Sequence, residues 1–337
     1  METSRLRALL EAIRRARVAV FGDFCLDAYW QIDPALAEIS LETGKRTLPV
    51  REQRYSPGGA GNIVANLAAL GVDRVCAVGV IGDDLFGQEL LRLLAALGVD
   101  TRGILKQGAD WATPVYAKPY VGDEEQSRLD FGVCNQLSAE NEERVIIALA
   151  DILPQVQGVI LNQQLPRGVN TPRVIAGLNA LVVRHPHRFF IADVRDASAQ
   201  YQGVIFRLNV QEAARLCGRS VACGAEVPAA DCARLAAEIA QHTGKPVFIS
   251  RGEQGALVFW AGRAEVIAPI PARGPTDPVG AGDTSVAAIA AALAAGASPS
   301  AAAELANLAA AVTVRKLKMT GTATPAEILA IASESAR

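Results

Sequence analysis

Residues 276–296 read TDPVGAGDTSVAAIAAALAAG, where two glycines and an alanine precede one aspartate and an alanine-rich helical segment. The first turn of a helix has about four backbone N–H groups without an intrahelical acceptor, and the helix dipole adds a partial positive charge there. Gly280, Ala281 and Gly282 have little or no side chain, so we interpret their amides as an anion hole for a phosphoryl group. Asp283 would lie beside that group, placed to accept the proton of an attacking hydroxyl.

Two points about this motif remain open from the sequence. The positive helix end is expected to lower the pKa of Asp283, which would make it a weak base. Phosphoryl transfer tolerates a weak base, because its transition state is loose and positioning matters more than basicity. The alternative is a glycine-rich turn in which the aspartate only caps the helix.

Outside this motif, short apolar segments alternate with segments of helical periodicity. The strand candidates are residues 17–23, 75–82, 158–161, 188–194, 204–209, 246–250, 256–261 and 264–270. The helix candidates are residues 62–70, 84–97, 141–152, 171–184, 229–242, 283–295 and 300–318. Continuous apolar strands that alternate with helices predict an α/β fold with a mainly parallel central sheet and helices on both faces.

Two segments interrupt the alternation, residues 28–56 and 112–132. Both combine β-type alternation with charges and prolines. We predict that they form a small β-sheet that acts as a lid over a site at the carboxyl edge of the main sheet. The alternative is two ordinary surface excursions. No repeat or linker is visible, so residues 1–337 are expected to form a single domain that includes this lid.

The composition argues against several classes of function. The chain has 33 Lys and Arg against 35 Asp and Glu, a net charge of −2, which gives no electrostatic reason to expect binding to nucleic acid or to an anionic membrane. No apolar segment is long enough to span a membrane, and the N-terminal segment lacks the features of a signal peptide. The six cysteines form no CxxC pair, which is typical of reduced thiols in a cytoplasmic protein; they are Cys25, Cys76, Cys134, Cys217, Cys223 and Cys232.

Two further motifs suggest contacts with a polar ligand. Residues 57–71, PGGAGNIVANLAALG, form a second glycine-rich entry into a helix, and Asn62 offers both a donor and an acceptor to hydroxyl groups. The first predicted strand ends at Asp23, and Asp27 follows it, so both carboxylates lie at the edge where open α/β sheets bind ligands. Each motif taken alone is also compatible with a turn, a cap or a solvated face.

Two motifs suggest a metal and a nucleotide. RLNVQEA places Asn209 and Glu212 three residues apart after a predicted strand, a spacing that can present an amide and a carboxylate to hydrated Mg²⁺. SRGEQG, residues 250–255, follows another strand with two glycines that permit the close approach of a nucleotide. The structural alternatives are again a turn or a cap.

The segments GGAGNIVANLAALG and DPVGAGDTSVAA resemble the two signature regions of the PfkB, or ribokinase-like, carbohydrate kinases, and the resemblance extends over roughly residues 17–330. It implies a ribokinase-like fold and ATP-dependent phosphorylation of a sugar hydroxyl. Within the family, GDFCLDAYW, SRLDFG and LANLAAAVTVRKLKMTGTATPAEI are similar to segments of the kinases that act on D-glycero-β-D-manno-heptose 7-phosphate.

The resemblance also implies roles for individual residues. It makes Asp283 the catalytic base and the amides of residues 280–282 the anion hole. The residues implied to hold the sugar are Asp27, Gly59 and Asn62, with Asp23 nearby and Arg128 for a sugar phosphate. Those implied to contact the nucleotide and its phosphates are Asn209, Ser250, Gly252, Gly255 and Asn307, with Glu212 on the side of the metal. ATP is the implied co-substrate and Mg²⁺ the implied metal, and a monovalent cation is a further candidate.

Three departures from the family pattern leave the sugar open: NQQLPRG at 162–168, DVRDAS at 193–198, and Pro278 in place of a threonine. The Pro278 change bears on the monovalent-cation site. The alternatives are a kinase for a fructose-type or ribose-type sugar or for a nucleoside, and a non-catalytic sugar or nucleotide sensor that keeps the fold. The exposed edges of the lid sheet also suggest a homodimer.

Overall fold

The computed structural model describes residues 1–222, 224–271, 274–317 and 320–335. Cys223 and the last residue of the predicted helix 300–318 lie outside these ranges. The helices are α1 (Thr3–Ile13), α2 (Ala60–Ala69), α3 (Leu85–Ala96), α4 (Ala139–Ile152), α5 (Pro172–Arg184), α6 (Val210–Leu216), α7 (Ala229–Thr243), α8 (Ala281–Ala294), α9 (Pro299–Thr313) and α10 (Pro325–Ser335). The strands are β1 (Arg17–Gly22), β2 (Phe24–Ile32), β3 (Val50–Gly59), β4 (Arg74–Gly82), β5 (Asp100–Gln107), β6 (Val115–Val121), β7 (Glu124–Glu125), β8 (Leu129–Phe131), β9 (Gly158–Gln163), β10 (Phe189–Val194), β11 (Ile205–Asn209), β12 (Val247–Ser250), β13 (Ala256–Trp260) and β14 (Arg263–Ile267).

The large sheet has nine strands in the order β14-β13-β12-β11-β10-β9-β1-β4-β5. All neighbouring pairs from β12 to β5 are parallel, and β13 and β14 add an antiparallel edge. Strand β1, which lies between β9 and β4, is buried at every residue after Arg17, as expected for a parallel strand covered on both faces. The prediction of an α/β fold with a mainly parallel sheet is therefore confirmed.

Each face of this sheet packs on its own layer of helices. Val18 and Val20 of β1 belong to a core that includes residues of α1, α2, α8 and α9. Ala19 and Phe21 point to the other face and belong to a second core, built with residues of α4, α5 and α7. Helix α8 is buried from Thr284 through nine consecutive residues, and its alanines let neighbouring helices approach closely.

The small sheet has the order β3-β2-β6-β7, with β8 paired to β6. Strand β2 begins at Phe24, one residue after Asp23, so the chain passes directly from β1 of the large sheet into the small sheet. These strands come from the two segments predicted to form a separate small sheet, and that prediction is confirmed. Strands β2 and β3 reach further toward the large sheet than predicted, because they run to Phe24 and Gly59.

Four elements were missing from the sequence candidates, and the first of them is helix α1 at Thr3–Ile13. Strand β5 lies at the edge of the large sheet, and its burial is intermittent, so it lacks the continuous apolar pattern of the central strands. Helix α6 has only seven residues, and α10 follows a loop near the C-terminus. Among the described residues, no helix is long and apolar enough to cross a membrane.

Candidate active site

Two cavities meet at the carboxyl edge of the large sheet. The first, which we call the polar cavity, has a volume of about 1100 Å³ and lies between the strand ends, the small sheet and the start of α8. The second, the apolar cavity, has a volume of about 780 Å³ and lies between β12, α8 and α9. The residues that line both cavities are Arg207, Ser250, Gly252, Glu253 and Pro278.

The start of α8 forms part of the wall between the cavities. Gly280 has a φ of 79°, a left-handed conformation that favours glycine, and it caps the helix that begins at Ala281. The Ala281 amide donates to the carbonyl oxygen of Pro278 at 3.2 Å, and the Thr284 amide donates to that of Gly280 at 3.0 Å. The Ala281 amide is thus used in a turn, whereas helix geometry leaves the amides of Gly280, Gly282 and Asp283 without an intrahelical acceptor, so the anion hole at residues 280–282 stays a prediction to which the Asp283 amide can be added.

Asp283 faces the polar cavity from the first turn of α8. Its Oδ2 accepts a hydrogen bond from Asn62 Nδ2 at 2.6 Å. Burial raises the pKa of Asp283 to about 7, and the negative charge of Asp193 adds to the effect, whereas Asn62 and Arg207 oppose it. The expected lowering of this pKa is wrong, because the loss of solvation outweighs the helix end. A carboxyl group with a pKa near 7 is well suited to take a proton at neutral pH.

Sequence analysis missed an ion pair beside Asp283. Arg207 Nη1 donates to Asp193 Oδ1 at 3.1 Å, and Arg207 Nη2 donates to Ser250 Oγ at 3.2 Å. Only 12% of the Arg207 side chain and 11% of the Asp193 side chain are exposed. Their positions along the sequence were the available indication that these residues belong to the site. Asp193 lies near the end of one predicted strand, and Arg207 lies two residues before Asn209 on the next.

Asn209 and Glu212 line the polar cavity but also bond to each other. Asn209 Oδ1 accepts from the Glu212 amide at 2.8 Å, and Glu212 Oε2 accepts from the Asn209 amide at 2.7 Å, which makes a capping box at the start of α6. Burial raises the pKa of Glu212. Across the described ranges, no group of three acidic, His or Cys side chains could hold a metal. Mg²⁺ in kinases keeps several waters and takes other ligands from substrate phosphates, so a single carboxylate at Glu212 fits such an ion.

The two aspartates after β1 have different surroundings. The carboxylate of Asp23 accepts from the amides of Gln164, Leu165 and Val169 at 2.8–2.9 Å. Asp23 is buried and lies outside the lining of both cavities, so it anchors the loop after β9. Asp27 lines the polar cavity, where it pairs with Lys118 at 3.1 Å.

Of the remaining residues predicted to hold a sugar, two line the polar cavity and one does not. Gly59 and Arg128 line the polar cavity, and Arg128 stacks over the Tyr116 ring at 4.6 Å while pairing with Asp130. Asn62 is 1% exposed and lies outside the cavity lining, so it acts on the site through Asp283. Thr320 lies in one of the segments similar to heptose kinases but was given no role there; it lines the polar cavity and donates to Asp27 Oδ2 at 3.1 Å.

The predicted nucleotide residues lie around the apolar cavity. Ser250, Gly252, Gly255 and Asn307 all line it, together with Ala303, Ala306 and Ala310 of α9. Asn307 Nδ2 donates to the carbonyl oxygen of Ala268 at 2.7 Å, which fixes the orientation of its amide. Asn209 lines the polar cavity instead.

The sequence and the fold have recognisable relatives. A family model described as pfkB family carbohydrate kinase matches residues 16–327. The chain is 32% identical over 333 residues to the bifunctional protein HldE of Azorhizobium caulinodans, covering 97% of this chain and 67% of the relative. It is 31% identical over 336 residues to HldE of Trichlorobacter lovleyi, covering 99% and 66%. The chain thus spans about two thirds of the length of these relatives.

Similar solved structures have lower sequence identity. Phosphofructokinase-2 from Escherichia coli in complex with potassium has a TM-score of 0.74 at 21% identity, covering 96% of this chain and 100% of that one. Ribokinase from Arabidopsis thaliana complexed with ribose and ATP has a TM-score of 0.68 at 20% identity, covering 94% and 98%. These similarities show that the fold is ribokinase-like.

Proposed function

The chain belongs to the pfkB family of carbohydrate kinases and is a phosphotransferase with a hydroxyl acceptor, and from this premise we propose that it transfers the γ-phosphoryl group of ATP to a phosphorylated sugar, specifically a heptose 7-phosphate. The observation that carries the proposal is the position of Asp283. Its carboxyl group faces the polar cavity from the first turn of α8, where that cavity adjoins the apolar one. The nucleotide would occupy the apolar cavity and the sugar the polar cavity.

In the proposed reaction, the acceptor hydroxyl oxygen forms a bond to the γ-phosphorus. The bond from that phosphorus to the β,γ-bridging oxygen breaks, and its electron pair remains on ADP. The hydroxyl proton passes to the carboxylate of Asp283, whose Oδ2 is held by Asn62. The free amides at the start of α8 stabilise the charge on the phosphoryl oxygens.

Kinases of this family use ATP and Mg²⁺. The residue that would hold Mg²⁺ is Glu212, with Asn209 beside it on the wall of the polar cavity. A bound Mg²⁺ supplies charge neutralisation between the phosphates. A bound monovalent cation and the single-domain organisation stay predictions for this chain. The homodimer through the lid is also a prediction, and light scattering would test it.

The charges of the polar cavity support a phosphorylated acceptor. Arg195 lines the cavity and is exposed, and its guanidinium has no ion pair within the described part of the chain. Its charge acts on Tyr116, whose pKa burial raises to about 12, and Arg128 stacks on the same ring. An unpaired guanidinium beside a second one is suited to bind a phosphate. The identity of the sugar as a heptose rests on the sequence resemblance described above.

The test is a coupled assay of ADP release over a panel of acceptors. The panel contains heptose 7-phosphate, fructose 6-phosphate, their unphosphorylated counterparts, ribose and a nucleoside. We expect heptose 7-phosphate to give the highest kcat/KM. The absence of sugar-stimulated ADP release for every acceptor would contradict the kinase proposal and favour a sensor.

The variant Arg195→Met tests the phosphate contact separately. It removes a charge-assisted hydrogen-bond donor, so we expect KM for the phosphorylated acceptor to rise about tenfold or more. KM for an unphosphorylated acceptor should stay unchanged. An equal effect on both acceptors would contradict a phosphate-binding role for Arg195.

A further inference from the structure

Arg207 has no role in the reaction described above. It lies on β11 and is the one basic residue, within the described ranges, that lines both the apolar and the polar cavity. A group that passes from one cavity to the other therefore passes its side chain. Asp193 and Ser250 hold two of its N–H groups, which fixes the plane of the guanidinium.

The guanidinium packs directly against the first turn of α8. A methyl group placed on Gly282 would lie 3.1 Å from Arg207 Nη1 and 3.4 Å from Nη2. A cation beside a helix N-terminus is unfavourable, because both are positive. The arrangement becomes favourable when an anion lies between them, since the guanidinium and the free amides then share it.

Arg207 also has N–H groups beyond those that bond to Asp193 and Ser250. A guanidinium has five N–H groups, and Asp193 and Ser250 account for two of them. The Nε atom is buried and has no hydrogen-bond partner among the described residues. A buried donor without a partner costs free energy, and such groups are retained where a ligand supplies the missing acceptor.

We propose that Arg207 is a catalytic residue that contacts the non-bridging oxygens of the phosphoryl group during transfer. The proposal rests on the kinase function proposed above. As the bond to the acceptor oxygen forms and the bond to ADP breaks, negative charge is spread over these oxygens, and the guanidinium stabilises it. Arg207 keeps its own proton throughout, because its pKa lies far above neutral pH. Its charge also favours the ionised form of Asp283, the form that takes the hydroxyl proton.

The experiment compares Arg207→Met and Arg207→Lys with the wild type in steady-state assays with heptose 7-phosphate and ATP, or with whichever acceptor is fastest on the panel. We expect Arg207→Met to lower kcat at least 100-fold while KM for ATP changes less than about fivefold, since the contact is made mainly in the transition state. Arg207→Lys keeps the charge but loses the planar fork, so its kcat should lie between the two. The matched control is Arg74→Met, which removes an arginine at the start of β4 that is bonded to Asp100 at 2.9 Å and lies outside the lining of both cavities; its kcat should stay within twofold of wild type.

Two readouts separate catalysis from a structural role. The acid limb of the pH–rate profile of Arg207→Met should move to higher pH, because Asp283 loses a positive neighbour. Added ethylguanidinium should recover at least tenfold of the activity lost in Arg207→Ala. A merely structural role would move neither.

The proposal is overturned if Arg207→Met keeps kcat within threefold of wild type, or if it raises KM for ATP with kcat unchanged. It is also overturned if the loss in Arg207→Ala is not recovered by ethylguanidinium. If the Met and Ala variants do not fold, Arg207→Lys decides, and a kcat within threefold of wild type then overturns it. Inactivity of the wild type with every acceptor would instead contradict the proposed function.

Discussion

Helices α2 and α8 begin with nearly the same four residues, Gly-Ala-Gly-Asn at 59–62 and Gly-Ala-Gly-Asp at 280–283. Both sequences start with a glycine of positive φ, 54° at Gly59 and 79° at Gly280. The two helices pack side by side, and the last residues of the two motifs form the hydrogen bond from Asn62 Nδ2 to Asp283 Oδ2. The two glycines differ in ψ, which is −127° at Gly59 and −5° at Gly280, so nearly the same local sequence enters the two helices along different backbone paths.

Their surroundings give them different roles. At α2, a methyl group on Gly61 would lie 2.8 Å from Pro57 Cβ, so this turn is filled by the chain's own packing. At α8, Gly280, Gly282 and Asp283 line the polar cavity. Gly59 does reach that cavity, but Gly61 and Asn62 do not. A glycine-rich helix start thus becomes a candidate anion site only where the tertiary structure leaves space in front of its amides.

The largest expected effect is a loss of activity at α8, because Asp283 is the residue of the two helix starts that would take the hydroxyl proton. Asp283→Asn keeps the shape of the side chain and the acceptor for Asn62 but removes the base, so kcat should fall about 10²- to 10⁴-fold. In the wild type, kcat should rise with pH and level off above about 7, following ionisation of Asp283. Steady-state ADP release from pH 5 to 9 measures both. A variant that retains more than a tenth of the wild-type rate would show that Asp283 is not the base.

The melting temperature of Asp283→Asn tests the raised pKa of Asp283 and also shows whether the variant is folded. The pKa of Asp283 is raised in the folded state, so between about pH 4 and 7 the folded chain binds more protons than the unfolded chain. This group therefore lowers stability as pH rises through that window. Asp283→Asn should raise Tm by a few degrees at pH 8 and leave it nearly unchanged at pH 4. A lower Tm at pH 8 would contradict the raised pKa.

A smaller effect separates packing from binding at the two motifs. Gly61→Ala forces a methyl group against Pro57, so it should lower the free energy of unfolding by about 1–3 kcal/mol, measured by urea titration. Gly282→Ala places the methyl group 3.1 Å from the Arg207 guanidinium, a milder clash than the 2.8 Å contact at Gly61, and should cost less stability. It should instead lower kcat about tenfold or more by displacing the groups around the phosphoryl site. The opposite pattern, activity lost at Gly61 and stability lost at Gly282, would reverse the assignment of roles.

The smallest effect concerns the contact between the motifs. Asn62→Ala removes a hydrogen bond that favours the ionised form of Asp283, so the acid limb of the pH–rate profile should move above pH 7. At pH 7 the rate should fall a few-fold, and at pH 9 it should recover. The matched control is Asn179→Ala, which removes an exposed amide bonded to Gln200 and should leave the profile unchanged. An unshifted profile in Asn62→Ala would mean that this contact does not tune the base.

Several features could be predicted because they are local. Buried parallel strands need continuous apolar residues, so the segments of β1, β9 and β10 are recognisable in the sequence. The edge strand β5 was missed, because one side of an edge strand faces solvent and its apolar pattern is broken. The glycine-rich motif at 280–283 placed α8 to within two residues of its observed start, because glycine and a first-turn acid mark helix starts.

Other features depend on residues far apart in the chain. Asn62 and Asp283 are separated by 221 positions, and the sequence assigned Asn62 to a sugar rather than to the base. Asp23 and Asp27 look alike in VFGDFCLD, yet one is saturated by backbone amides of the loop after β9 and the other faces the polar cavity. Arg207 opens the RLNVQEA motif but had no role assigned to it, and its place between the cavities follows from how β11 meets α8.

The sequence by itself determined the parallel α/β layers, the small second sheet, the family, and the helix start that presents Asp283. Periodicity, glycine positions and motif spacing are properties of neighbouring residues, so they can be read along the chain. Only the tertiary structure decided which of two helix starts of nearly identical sequence opens to a cavity, and that Asp283 has a raised rather than a lowered pKa. Desolvation and charge–charge interactions depend on what the folded chain packs around a group, and that packing is assembled from residues distant in sequence.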